Sequence, residues 1–169
     1  LDFAGFGQAR AWWYLDLEAI ERAQRMGVAR SLAKEQPEGL ATAQSLLSDA
    51  LGELLDHFHL GIEDTVLGGF SQGAMLTTDL AIHGDTPPQA LIVLSGNLLD
   101  EERSLPHIAQ QRGLDIFMSH GRQDPILPFS GAKDLETAFL QAGSKVEFHP
   151  FEGGHTIPQS AIRRLAERL

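Results

Sequence analysis

Residues 64–83 read DTVLGGFSQGAMLTTDLAIH, and the order of residue types within that stretch decides the fold. A short β-branched and apolar run, Thr65-Val66-Leu67, passes through glycines to Ser71 and then into a helix-forming run that stops at Gly84. Gly69 and Gly73 stand two residues to either side of Ser71, giving G-x-S-x-G. In that arrangement a strand turns sharply into a helix, with the serine at the apex in a strained backbone conformation and its hydroxyl exposed. A Cβ at either flanking position is expected to collide where strand and helix approach. The helix that starts after Ser71 directs free backbone N–H groups at the place where negative charge would develop.

Working outward, amphipathic spacing runs upstream through Leu40, Ala43, Leu47, Ala50, Leu51, Leu54 and Phe58, with Gly61 ending it. That is the pattern of a helix with one apolar face. Downstream, ALIVL (90–94) is a continuous apolar run, as in a parallel strand covered on both faces. A polar stretch with a short helix leads to a third strand, LDIFMS (114–119). A helix over 131–142, a fourth strand KVEFHP (145–150) and a last helix over 158–169 complete the pattern. Strands alternating with helices at this spacing predict an α/β fold: a parallel sheet with helices on both faces and its working residues at the C-terminal strand ends. Residues 1–17, with both tryptophans, are expected as loop or short strand against a pocket or core, and 18–33 as a partly exposed helical segment.

The 169 residues suit one domain. The net charge of −10 and the lack of any basic cluster beyond Arg163-Arg164 argue against nucleic acid and anionic membrane surfaces as partners. There is no cysteine, which removes disulfides, thiolate metal sites and a cysteine nucleophile, and a cytoplasmic location is expected. No apolar run reaches the ~18 residues needed to span a bilayer. H-E-x-x-H and a glycine-rich phosphate loop are both missing, so neither a metal nor a nucleotide cofactor is expected.

Each strand end carries a chemically useful residue: Ser71, Asn97, Asp124 and His155 in turn. A serine hydroxyl attacks a carbonyl only with a base beside it, and the base needs a partner to fix its tautomer. Histidine fits the base role because its ordinary pKa lies near neutrality. Ser71, Asp124 and His155 follow one another in the chain order expected on an α/β-hydrolase sheet. Of the other histidines, His57 and His59 read as a solvated helix end, His83 and His107 as surface turns, His149 as strand, and His120 as shaping the acid loop by a hydrogen bond. Asp100, Glu101 and Glu102 are rival acids; Asp124 is preferred because its loop follows a strand and Pro125 stiffens the turn.

GFSQG (69–73), SHGRQDPILP (119–128) and EGGHTIP (152–158) together resemble the phospholipase/carboxylesterase family of α/β hydrolases, which includes bacterial carboxylesterases and acyl-protein thioesterases. Ala11-Trp12-Trp13 followed by Asp16 is similar to the family's R-x-W-[FWY]-x-x-D region, so the resemblance runs from about Arg10 to the end. It implies a serine hydrolase acting on small-molecule esters or thioesters, with nucleophile Ser71, acid Asp124, base His155 and one oxyanion N–H from Gln72. Trp12, Trp13 and Leu98 are expected to line the acyl pocket. Family members place strands and an H-G-x-G-type loop ahead of the tryptophan segment, and Gly5-Phe6-Gly7 is a poor match to that loop. The chain is therefore expected to be a single α/β-hydrolase domain, residues 1–169, lacking its N-terminal strands (roughly 50 to 70 residues) and the second oxyanion donor. Otherwise a second copy covers the open edge beside Thr65–Leu67 as a homodimer. The alternative reading is a domain of the same fold that binds a ligand without turnover.

Overall fold

The computed structural model describes residues 2–3, 7–8, 10–14, 16, 18, 19, 22, 25, 26, 34 and 36–168. Much of the helical segment expected over 18–33 lies outside the described residues, as does part of Gly5-Phe6-Gly7. Two short strands, β1 (Asp2–Phe3) and β2 (Gly7–Gln8), pair antiparallel. Four longer strands follow: β3 (Val66–Phe70), β4 (Ala90–Leu94), β5 (Asp115–Gly121) and β6 (Lys145–Phe151). They form one sheet in the order β3-β4-β5-β6, every pair parallel. The helices are α1 (Leu40–Phe58), α2 (Gln72–His83), α3 (Glu101–Ile108), α4 (Phe129–Ala142) and α5 (Gln159–Arg168).

Gly68 and Gly69 belong to β3 and not to the turn after it, so extended backbone continues to the residue before Ser71. The pleat sorts the apolar runs between two faces. Leu91 and Val93 of β4 and Ile116 and Met118 of β5 pack with Ala74, Ala81 and Ile82 of α2 and Leu135 and Phe139 of α4. Ile92, Leu94 and Phe117 point the other way and meet Ala161 and Leu165 of α5. Helices thus cover both faces, as the unbroken apolar strands require.

Helix α1 sits on α2 through Leu40 and Ala43, in a cluster with Met75, Leu76 and Trp13. Its apolar stripe is only half used, because Leu54 and Phe58 near its C-terminal end are exposed. In the described structure β3 is the edge of the sheet, and Val66 is exposed there. None of the described helices is long and apolar enough to cross a membrane.

One buried ionic network joins α1, α2 and α3. Asp79, 3% exposed, accepts hydrogen bonds from the Arg103 guanidinium and the Gln44 amide. His83 donates from Nδ1 to the Asp79 carbonyl (2.9 Å), and its Nε2 accepts from Arg103 Nη1 (3.0 Å). His83 and His107 lie on helices and not in turns, His83 half-buried and His107 exposed, with their rings tilted at 44° and 4.3 Å apart.

A buried carboxylate stripped of its cation keeps the desolvation cost without the compensating attraction. Arg103→Ala is therefore expected to destabilise by about 3 kcal/mol and to lower Tm by roughly 6–12 °C. Differential scanning calorimetry measures this directly; a fall under about 2 °C would mean that Asp79 is not held by that pair.

Candidate active site

At Ser71 the chain must pass from strand to helix in one residue, and it does so at φ 56° and ψ −122°. A non-glycine residue there stores about 1–3 kcal/mol of strain and persists only where its surroundings over-determine it. The restraint is visible on both sides. The Ser71 N–H donates to the Leu94 carbonyl at the end of β4 (2.9 Å), and its carbonyl accepts from Met75 in the first turn of α2 (3.1 Å). Gly69 is indispensable to this turn, since a Cβ there would lie 2.2 Å from the Gly73 carbonyl carbon. Gly73 corrects the symmetric expectation: a Cβ on it would meet only Trp12 Nε1, at an ordinary 3.9 Å. The collision belongs to the strand side alone.

Asp124 and His155 reach the same place from the ends of β5 and β6. Gly121, the last residue of β5, lets the glycine run after β6 cross against its backbone; a Cβ there would be 2.3 Å from the Gly154 carbonyl oxygen. Arg122 N–H donates to the Phe151 carbonyl (2.9 Å) and Gln123 N–H to that of Gly153 (3.0 Å), tying the two loops together. His155 then lies with Nδ1 2.7 Å from Asp124 Oδ2 and Nε2 2.8 Å from the Ser71 hydroxyl. A carboxylate only accepts, so Nδ1 carries the proton and Nε2 is left to accept from the serine. The Phe70 ring backs the imidazole, centroids 4.8 Å apart.

Asp124 is buried, and burial by itself pushes its carboxyl up. Hydrogen bonds from His120 and His155 and from the N–H groups of Leu127 and Ile126 outweigh that penalty and hold it well below the usual carboxylate range. It is an anion at any pH near neutrality.

Beside Ser71 opens a cleft of about 720 Å³ lined by Arg10, Ala11, Trp12, Leu46, Phe70, Gln72 and Gly73. Trp12, 43% exposed, forms part of its wall. Trp13 and Leu98, both expected at the pocket, are core residues instead. Trp13 is 5% exposed and packs on Leu40, Met75 and Leu127, while Leu98 is buried with Val93 and Ile108. The backbone bends at Trp12 and Trp13, and the two adjacent rings part there, Trp12 to the cleft and Trp13 to the core.

Gln72 contributes more than a backbone donor. Its side-chain Oε1 accepts from the Trp12 N–H (3.0 Å) and its Nε2 donates to the Trp13 carbonyl (3.2 Å), clamping the tryptophan segment to the start of α2. A side-chain clamp on residues 59 and 60 positions away leaves no mark in a one-dimensional motif. The N–H groups of Gln72 and Gly73 lie in the first turn of α2 and have no intrahelical acceptor.

The rivals lie elsewhere. Asp100 caps α3, its Oδ1 accepting from Arg103 N–H (3.3 Å), and Glu101 and Glu102 are exposed on that helix. Asn97 is buried and donates to the Pro128 carbonyl (3.2 Å), which makes it a tie between loops. His149 pairs with Ser160 of α5 (2.9 Å), and His57 and His59 sit at the exposed end of α1. Among the described residues no group of three or more His, Asp or Glu is placed to hold a metal ion.

A parallel sheet with helices on both faces and a serine at a strained strand-to-helix apex define an α/β hydrolase. The chain belongs to the phospholipase/carboxylesterase family, whose profile matches residues 25–169. It is 31% identical to acyl-protein thioesterase 1 of Debaryomyces hansenii over 124 residues, which is 72% of this chain and 53% of that protein. With acyl-protein thioesterase 1 of Neurospora crassa it shares 27% identity over 158 residues, 90% of this chain and 62% of the relative. Among solved structures it resembles esterase PE8, at 29% identity and TM-score 0.78, covering 96% of this chain and 69% of that one. The Bacillus cereus carboxylesterase shares the fold at TM-score 0.63 and 19% identity, over 83% of this chain and 66% of that one. The chain spans about half the length of the first of these thioesterases.

The unequal glycines give a paired test. Gly69→Ala is expected to cost about 3 kcal/mol or more by forcing Cβ onto backbone, whereas Gly73→Ala leaves Tm unchanged or slightly raised. Equal losses in thermal melts of the two variants would contradict the geometry of the turn.

Proposed function

We propose that this chain carries the reacting residues of a serine hydrolase that cleaves carboxylic esters or thioesters by way of an acyl-enzyme. The observation that carries the reading is the unbroken row from Asp124 Oδ2 through His155 to the Ser71 hydroxyl, at 2.7 and 2.8 Å. Those distances lie within the reach that proton transfer requires.

In the proposed reaction Ser71 Oγ attacks the carbonyl carbon while its proton passes to His155 Nε2. Asp124 holds Nδ1–H and stabilises the imidazolium that forms, without itself taking the proton. The tetrahedral oxyanion faces the Gln72 N–H, at the positive end of α2. Collapse expels the alcohol or thiol, which leaves with the proton from Nε2. Water then attacks the acyl group with His155 as base, releasing the carboxylic acid and restoring Ser71.

In this reading the second oxyanion donor comes, as the family resemblance implies, from a loop ahead of the tryptophan segment; the Trp12 N–H is already given to Gln72. The reading takes residues 1–169 as part of a single hydrolase domain whose sheet continues past the free edge of β3. The cleft supports an acyl substrate: its wall is largely apolar, with Trp12, Leu46 and Phe70 beside the serine. Relatives named acyl-protein thioesterases and an esterase point to the same bond type.

A fluorophosphonate probe should label Ser71 stoichiometrically, read by peptide mass spectrometry. Ser71→Ala should remove the label and lower kcat on p-nitrophenyl esters by about 10⁶ relative to the intact enzyme. Labelling that persists in Ser71→Ala would overturn the assignment. A p-nitrophenyl series of increasing acyl length then reads the depth of the cleft.

A further inference from the structure

We propose that His120 is a positioning residue of this site: it is a second imidazole donor to the carboxylate oxygen that holds His155. The proposal rests on the Ser71-His155-Asp124 reading above and adds a fourth side chain to it.

His120 lies on β5 and is 1% exposed. Its Nε2 stands 3.0 Å from the Leu127 carbonyl oxygen and 3.3 Å from Asp124 Oδ2. Both neighbours only accept, so Nε2 carries the proton and shares it between them. Nδ1 is buried with no hydrogen-bond partner. A second proton there would be a buried donor with nothing to receive it, an expensive arrangement. The ring is therefore fixed as one tautomer with one N–H, aimed at the acid. The Phe129 ring packs against it, centroids 6.1 Å apart, and the Arg122 guanidinium lies over Phe129, 5.1 Å from that ring's centroid.

The acceptor count on Asp124 shows what this donor does. Oδ1 accepts from the Ile126 and Leu127 N–H groups, both at 2.9 Å, and Oδ2 faces His155 at 2.7 Å and His120 at 3.3 Å. A carboxylate offers about four acceptor positions, and each is taken. His120 and the two backbone groups fix the carboxylate plane from the protein side, so that Oδ2 has one direction left, toward His155. Because His120 draws on the same oxygen, it also reduces the negative charge that Oδ2 presents to His155.

Removing the donor should have two effects that packing alone would not produce together. In His120→Leu the carboxylate is less firmly oriented, and kcat should fall about 10-fold or more. Oδ2 is also left to His155 alone, which favours the imidazolium, so the acid limb of the kcat/KM profile should move up by about half a pH unit or more. His155 is faced by Asp124, Ser71 and the Phe70 ring, and His120 by Asp124, the Leu127 carbonyl and Phe129 with Arg122 behind it.

His120→Gln, which can place an amide N–H near the position of Nε2, should restore most of kcat and return the limb toward that of the parent. His120→Phe keeps a ring against Phe129 without the donor and should behave as His120→Leu does, serving in its place if the leucine variant fails to fold. Fluorophosphonate labelling of Ser71 in the unsubstituted protein separates this proposal from the reading beneath it. If the parent is labelled but the acid limb of the donor-less variants does not move, or His120→Gln is no better than His120→Phe, the role of His120 is overturned and the triad stands. If the parent itself is not labelled at Ser71, both fall.

Discussion

The hydrogen bond from His155 Nδ1 to Asp124 is the constraint on which the rest of this site depends. It joins two loops that share no helix and no sequence neighbourhood, and it fixes which imidazole nitrogen faces Ser71. The fold spends several local features on it. Parallel pairing of β5 with β6 brings the loops to one end of the sheet, and Gly121 allows them to cross in backbone contact. Crossed hydrogen bonds from Arg122 and Gln123 then hold the loops at that spacing. Asp124 is buried, yet its carboxyl remains an anion because hydrogen bonds outweigh the cost of burial.

Ser71 poses the complementary problem. Its backbone is strained, and the strain persists because the end of β4 and the first turn of α2 each take one of its backbone groups. The turn is also braced from outside by the Gln72 amide, which bonds the backbone of both Trp12 and Trp13. One residue thereby anchors a wall of the cleft and, in the proposed reaction, offers its backbone N–H to the oxyanion. Trp13, sunk into the cluster between α1 and α2, gives that wall a hydrophobic root.

Much of this was legible in the sequence, and the reasons are physical. Short apolar runs such as ALIVL and LDIFMS, bounded by turn residues, read as strands covered on both faces, and G-x-S-x-G marks a strand-to-helix turn whose strand-side glycine, Gly69, no other residue would fit. Residues placed just after successive parallel strands meet at one end of a sheet, so the sequence alone groups Ser71, Asp124 and His155. Side-chain direction was not legible in the same way. Trp12 and Trp13 are chemically alike and adjacent, and only the direction of the segment decides that one lines the cleft and the other joins the core. Leu98 follows β4 closely but turns into the α2 and α3 side of the core. The Gln72 clamp and the bonds from Arg103 to Asp79 and His83 join partners 20 to 60 residues apart, a spacing that no local pattern encodes.

The site turns on the state of one imidazole, and nitrogen-15 NMR of histidine-labelled protein near neutral pH observes it directly. With resonances assigned through His155→Gln, the protein should show His155 protonated on Nδ1 and bare on Nε2, and Asp124→Asn should abolish that preference. A His155 ring that carries its proton on Nε2, or that exchanges freely between tautomers in the unsubstituted protein, would contradict the arrangement described.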